Sequence, residues 1–455
     1  MRITILSTVE DYHFGYYDQN EARAIDAICY DAPYALPVYA AGNERGPTGQ
    51  GPTNQPVPHI VLNHFGDQVL VTNLTHPNDG DTNGYDTLNT MAVAKNILTV
   101  GSMRDLQDGY AGPASVTNSW FSSRGPTDSG RIKPDVVASG EDVFSPDYIH
   151  GSPINIYTSD SGTSFSAPSV TGLLNLLLQL YRELYPGKPD PLASTMKALI
   201  IGTADEAGPF DGPDFIHGWG LPNGGKAAQL IQSNALNTAK PHLNELMLQQ
   251  GKKIRFPIQV SSTNQLVKAT IAWTDPEGPI MSVAVDSPLT DLINNLDLKI
   301  ISPSGVTNFA WVLNADTTGE SVALRSAAAT KGTNNVDNVE QVCFWPPTTG
   351  LYWIEISHQG TLQDGYQMVS LAVTGNNALA IPPLRFVNSY LQGGTFPTFL
   401  FTGVPGLTYR IEYLTNVTGT VWLTNSTLFA TQTTNAFSVN SYGTEQRFYR
   451  AVLVY

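Results

Sequence analysis

The stretch SGTSFSAPSVTG, residues 161–172, sets a serine among small residues directly ahead of an apolar helical run. A hydroxyl at the mouth of a helix lies beside unpaired backbone N–H groups and the positive end of the helix dipole. Both favour an oxyanion developing next to it. Ser164 is therefore a candidate nucleophile. Gly162 and Thr163 keep the approach narrow enough for a substrate backbone, and Ser166 and Ala167 let the helix pack closely beneath. Pro168 is tolerable in a first helical turn, where its missing N–H costs little. Taken alone, the same stretch also reads as a capping serine before a core helix. A nucleophile needs a proton acceptor, and the choice between the two readings rests on whether one is encoded.

Elements of two textures must position this serine. Up to residue 235, apolar runs alternate with helical patterns. ALPVYAAGN (35–43), NILTVGSM (96–103) and IKPDVVASG (132–140) read as buried strands. SAPSVTGLLNLLLQLYRELY (166–185) reads as a central helix, apolar almost all round at its start. DPLASTMKALIIGTAD (190–205) reads as a second helix, with Asp190 near its N-cap and Pro191 at its first position. Such alternation predicts a parallel sheet with helices on both faces. From about residue 236, segments such as KIRFPIQV, VKATIAWTD and QMVSLAVTG alternate with period two, which predicts an antiparallel β-sandwich. A two-proline linker, NNALAIPPL (376–384), leads to a last β unit. The expected divisions are 1–235, 236–378 and 379–455.

Composition narrows the partners. The 455 residues carry a net charge of −15, 41% hydrophobic and 14% charged residues, and no Lys/Arg run. That describes a globular chain with no electrostatic footprint for nucleic acid or an anionic membrane. No apolar stretch is long enough to span a bilayer. The two cysteines, Cys29 and Cys343, read as buried thiols. No zinc-type Cys/His cluster is present.

GTSFSAP (162–168) resembles the nucleophile motif of the subtilases, the subtilisin-like serine proteases, usually G-T-S-x-A-x-P. AAGN (40–43), AKNILTVGS (94–102), FSSRGPTDSGRIKPDVVASG (121–140) and HGWGL (217–221) match further family segments in the family's order. PLTDLINNLDLKIISPSG and NNVDNVEQVCFWPPTTGLYWIEIS resemble the jelly-roll domain fused behind the protease in one bacterial subtilase group. The last 70 or so residues resemble small β modules of secreted bacterial proteins. The resemblance implies Ser164 as nucleophile and Asn43 as side-chain donor to the oxyanion, beside the Ser164 N–H. It implies that Ala41, Gly42, Gly162 and Thr163 border the substrate, and that the chemistry needs no cofactor. It also brings in structural calcium, for which Asp275, Asp291, Asn295, Asp297 and Glu340 are the oxygen donors near strand ends, without an EF-hand spacing.

The proton acceptor is the missing part. Subtilases place Asp and His ahead of the oxyanion asparagine, yet only 42 residues precede Asn43. They contain neither D-[ST]-G closing an apolar strand nor H-G-T opening a small-residue helix, and His13, in EDYHFGYY, reads as a surface or aromatic-cluster residue. Asp128-Ser129-Gly130 and His150-Gly151-Ser152 spell near-matches, but in segments that read as loops. His59, His64, His76, His217, His242 and His358 read as loop, structural or outlying residues. The expectation is the C-terminal part of a secreted bacterial serine endopeptidase, monomeric, acting on proteins or peptides, with its Asp and His encoded upstream of Met1 and negligible turnover as written. The alternative is a non-catalytic extracellular protein whose β domains bind a surface, glycan or protein.

Overall fold

The structure is a computed structural model. It describes residues 14–45, 59–62, 68–71, 84–147, 156–236, 242–280, 289–315, 321–375, 378–379, 386–392, 396–402, 408–415, 422–430, 434–438 and 447–453. It is mixed α/β: a small parallel sheet with helices comes first, and antiparallel sheets follow.

The first helix, α1 (Ala22–Asp31), starts where the Asp18 carboxylate accepts the N–H groups of Asn20 (2.7 Å) and Glu21 (2.9 Å). Three parallel strands follow: β1 (Val38–Ala40), β2 (Leu98–Met103) and β3 (Val136–Ser139), with β2 in the middle. Every residue of β2 is buried, as a continuous apolar run in a parallel sheet requires. Against this sheet lies α2 (Thr163–Leu184), through Ala167, Val170, Leu174 and Leu177. Burying each of the larger of these side chains is worth about 1.5–3 kcal/mol.

Two helical expectations need correction. Helix α2 begins at Thr163, so Pro168 lies in its second turn and not its first. It is also not apolar all round, since Pro168, Thr171, Asn175 and Leu176 are exposed. The next helix, α3 (Ala193–Thr203), has Leu192 at its N-cap, so Asp190 and Pro191 precede it. The Asp190 carboxylate is instead held by the Arg182 guanidinium at 2.6 and 2.8 Å. All eleven residues of α3 are buried. It is followed by α4 (Gly224–Leu236), which packs on both α2 and α3.

The sandwich has a four-stranded sheet in the order Val339–Phe344, Val267–Ala272, Tyr366–Thr374, Leu243–Gln249. Its six-stranded partner runs Thr330–Gly332, Thr307–Val312, Leu296–Ile301, Gly350–His358, Ile254–Val260, Ala378–Leu379. Trp273, Leu298, Ile354 and Leu371 lie in the core between them. Helix α3 packs on the four-stranded sheet, and the cluster around α2 includes Ala272, Val339 and Ala372 of the sandwich. One hydrophobic cluster thus crosses residue 236. Two three-stranded sheets finish the chain around Phe401, Tyr409, Ile411 and Phe437, against Leu351 and Trp353 of the sandwich. Cys29 is buried, with its thiol pKa pushed by burial up to about 11, whereas Cys343 is only half-buried. Both are unbridged.

Candidate active site

Strand β1 delivers Asn43. The ladder extends one residue past the strand, where Ala41 N–H donates to Val100 O (2.9 Å), and the chain then turns at Gly42. Gly42 has φ +113°, and a Cβ there would fall 2.8 Å from Ser123 Oγ, so the turn admits only glycine. Ser123 clamps it from both sides: its N–H donates to Gly42 O (3.0 Å), and its hydroxyl accepts from Glu44 N–H (3.2 Å).

The end of β3 delivers Ser164. Gly162 N–H donates to Gly140 O (2.8 Å), and Ser166 Oγ donates to Ala138 O (3.0 Å). Ser164 then stands exposed in the first turn of α2, a 22-residue helix in which the flanking N–H groups of Thr163 and Phe165 are taken by Asn43 Oδ1 and Gly162 O.

Thr163 joins the two arrivals. Its N–H (2.9 Å) and its hydroxyl (3.0 Å) both donate to Asn43 Oδ1, and the same hydroxyl accepts from Gly42 N–H at 3.2 Å. Two donors on one carboxamide oxygen settle which end of Asn43 is which, leaving Nδ2 as the outward donor. A Cβ built on Gly162 would sit 3.5 Å from Asn43 Nδ2 and 3.7 Å from Ser164 N. Two donor nitrogens therefore lie close together beside the exposed Ser164. That is the geometry an oxyanion hole needs.

Of the six residues expected at this site, Asn43 and Ser164 are exposed, while Ala41, Gly42, Gly162 and Thr163 are buried. Ala41 and Thr163 therefore present no side-chain surface to a substrate. Thr163 acts by orienting Asn43. The sequence reading missed Ser123: its segment, 121–140, matches as a whole, and nothing in it shows that this serine meets Gly42 and Glu44.

Among the described residues, no imidazole hydrogen-bonds to Ser164 Oγ. His217 is paired through Nδ1 with Asp214 Oδ2 (3.1 Å), and Asp214 Oδ1 accepts the backbone N–H groups of Ile216 and His217. This holds the turn around Gly208, whose own Cβ position abuts both side chains. The His358 ring accepts from Gly251 N–H through Nε2 (2.7 Å). His13, His64, His76 and His150 lie outside the described residues. The Asp128-Ser129-Gly130 segment is a loop turn, as its sequence reads, and it is buried: Ser129 Oγ donates to Asp291 Oδ2 (2.9 Å).

Two of the residues named for calcium are engaged by cationic side chains. Asp275 binds the Lys95 ammonium (2.6 Å) and the N–H groups of Ile293 and Asn294. Asp291 binds the Arg131 guanidinium (2.7 Å). Glu340 Oε2 accepts from Leu298 N–H (2.6 Å), and burial pushes its pKa well above the ordinary range. Among the described residues, no three His, Cys, Asp or Glu side chains gather closely enough to hold a metal.

These aspartates belong to a buried seam between the first 235 residues and the sandwich. Lys95 is fully buried, and its ammonium rests on Asp275 Oδ2 (2.6 Å), Pro276 O (2.6 Å) and Asp291 O (2.7 Å). Asn96 exchanges two hydrogen bonds with the Asp275 backbone (2.7 and 2.8 Å). From the sandwich, Asn338 Nδ2 donates to Lys95 O (3.1 Å). On the α1 side, Asp26 accepts the N–H groups of Lys95 and Asn96 and the Tyr17 hydroxyl.

Comparison with known proteins places this geometry. Residues 6–220 match the model of the subtilase family, Peptidase S8. The serine protease/ABC transporter B family protein tagD of Dictyostelium discoideum is 28% identical over 366 residues, 65% of this chain and 19% of that protein. The C5a peptidase of Streptococcus pyogenes is 39% identical over 85 residues, 18% of this chain and 7% of that protein. The chain thus spans under a fifth of the length of either relative. Among solved structures, the serine protease of Aeromonas sobria aligns over 80% of this chain and 70% of its own, with 14% identity and a TM-score of 0.31. No described helix is long and apolar enough to cross a membrane. Asn43 and Ser164 both lie inside the segment, residues 6–220, that is similar to the subtilases.

Proposed function

We propose that this chain is the C-terminal part of a secreted bacterial serine endopeptidase, in which Ser164 attacks the carbonyl carbon of a peptide bond. Asn43 Nδ2 and Ser164 N–H would stabilise the tetrahedral oxyanion. The amine leaves, an acyl-enzyme remains on Ser164, and water releases it. The observation that carries this reading is the double hydrogen bond from Thr163 to Asn43 Oδ1, which aims an amide donor at the volume beside Ser164 N. The family match and the peptidase names of the relatives support it. We place the general base and its carboxylate upstream of Met1, and no step requires a metal or cofactor. The substrates are proteins or peptides, and the working unit is a monomer.

Losing the base removes about 10⁶ in kcat. The 455-residue chain should therefore react with a fluorophosphonate probe no faster than a simple alcohol. The product translated from in-frame upstream codons carrying D-[ST]-G and then H-G-T should label rapidly at Ser164. Rapid labelling of the 455-residue chain itself would overturn the placement of the base. One observation favours a second reading, a non-catalytic extracellular binding protein: no imidazole stands at Ser164 among the described residues. A stop codon immediately ahead of Met1 would select it.

A further inference from the structure

The hairpin that leads into Ser164 turns its largest apolar groups toward water. Strands Val143–Asp147 and Ile156–Asp160 pair antiparallel and form a two-stranded sheet of their own, with Phe144 opposite Ser159 and Pro146 opposite Tyr157. This register puts Phe144, Pro146, Tyr157 and Ser159 on one face, and all four are exposed. Phe144 is 70% and Tyr157 61% exposed, and their rings stack at 5.5 Å with planes 25° apart. On the other face, Val143, Ser145, Ile156 and Thr158 are half-buried. The pattern is the reverse of an ordinary surface hairpin, which keeps its aromatics inside.

What covers this face follows from where it leads. Strand Ile156–Asp160 runs through Ser161 straight into Gly162–Ser164, so Tyr157 lies at most about 23 Å of chain from Ser164. That is the reach of six or seven residues of extended substrate. Asp142 and Asp160 stand at the end nearest Ser164, and the chain is strongly acidic, which disfavours an anionic lipid surface. We propose that Phe144, Pro146 and Tyr157 form a rail that grips aromatic side chains of an extended polypeptide substrate, within six or seven residues of the bond Ser164 attacks. This inference rests on the peptidase reading of the site.

The test is fluorescence-anisotropy binding to the full 455-residue chain. The probes are a labelled hexapeptide and the same hexapeptide extended at both ends by seven residues that include tryptophans. The extended peptide should bind about tenfold more tightly, the combined effect of two aromatic contacts. Phe144→Ser/Tyr157→Ser should erase that gain and leave the hexapeptide unaffected, whereas Gly162→Val, which fills the oxyanion volume, should weaken both. If Gly162→Val acts as expected but the double variant keeps the gain, the rail alone falls. If Gly162→Val leaves hexapeptide binding unchanged, the peptidase reading falls and the rail with it. Loss of the gain to vesicles of phosphatidylglycerol, with the aromatics partitioning into lipid, would also overturn the rail.

Discussion

Two polar constellations in this chain are built on opposite principles. The candidate corner at Asn43 and Ser164 is exposed and neutral, and it is assembled from short uncharged side chains and backbone groups that meet across 120 positions of sequence. The seam at Lys95, Asp275, Arg131 and Asp291 is buried and charged, and it joins residues far apart in the chain. The corner fixes Asn43 through its carboxamide oxygen and leaves Nδ2 outward. The seam spends every donor of Lys95, because an unpaired ammonium in the interior costs several kcal/mol. The contrast separates groups arranged for chemistry from groups arranged for cohesion, although both are small networks of Asn, Asp, Ser and Thr.

The largest effect should come from breaking the seam. Lys95→Met leaves Asp275 buried without its counter-charge and should cost about 3–5 kcal/mol of stability in guanidinium unfolding. Adding Asp275→Asn should recover part of that loss, and a single-variant cost below about 1 kcal/mol would mean the seam holds nothing together.

At the corner the sensitivity should reverse. In the upstream-extended product, Asn43→Ala should weaken binding of a peptide boronate, which forms a tetrahedral adduct on Ser164, by about 10²–10³-fold. Its unfolding free energy should change by no more than about 1 kcal/mol, because the residue is exposed. Equal losses in affinity and stability would erase the contrast between the two regions.

Thr163→Val sharpens the comparison further. It removes one of the two donors on Asn43 Oδ1 and the acceptor of Gly42 N–H, so boronate affinity should fall about tenfold. Thr163→Ser should restore it.

The smallest effect is one of pH. The Glu340 pKa is raised by burial, so its contribution to stability is full below the unfolded carboxyl value and is lost as pH rises through the folded value. Glu340→Gln should therefore hold its Tm better than wild type on the alkaline side while matching it in acid. Parallel Tm curves across pH would exclude this role for Glu340.

The corner was legible in the sequence because each of its two working residues sits in a short local motif. AAGN is a turn forced by Gly42, and GTSFSAP opens a helix. The sandwich strands were legible through their period-two alternation. The start of α3 was not, since Asp190 looks like a cap but its carboxylate goes to Arg182, a tertiary choice that propensity does not encode. The exposed stripe of α2 was missed for a similar reason: Leu176 reads as core, and only packing shows that nothing described covers it. The seam was invisible. Lys95 and Asp275 are 180 positions apart, and a lone lysine in AKNILTV carries no mark of burial. Asp275, Asp291 and Glu340 drew attention as acids near strand ends, and the sequence could not show that two of them meet basic side chains.

All three oxygens that receive the Lys95 ammonium belong to residues beyond 236, so neither half of the molecule can be exchanged by recombination without its cognate. A gene fusion that joined the first 235 residues to a foreign sandwich lacking those oxygens would inherit a lysine with nowhere to put its charge.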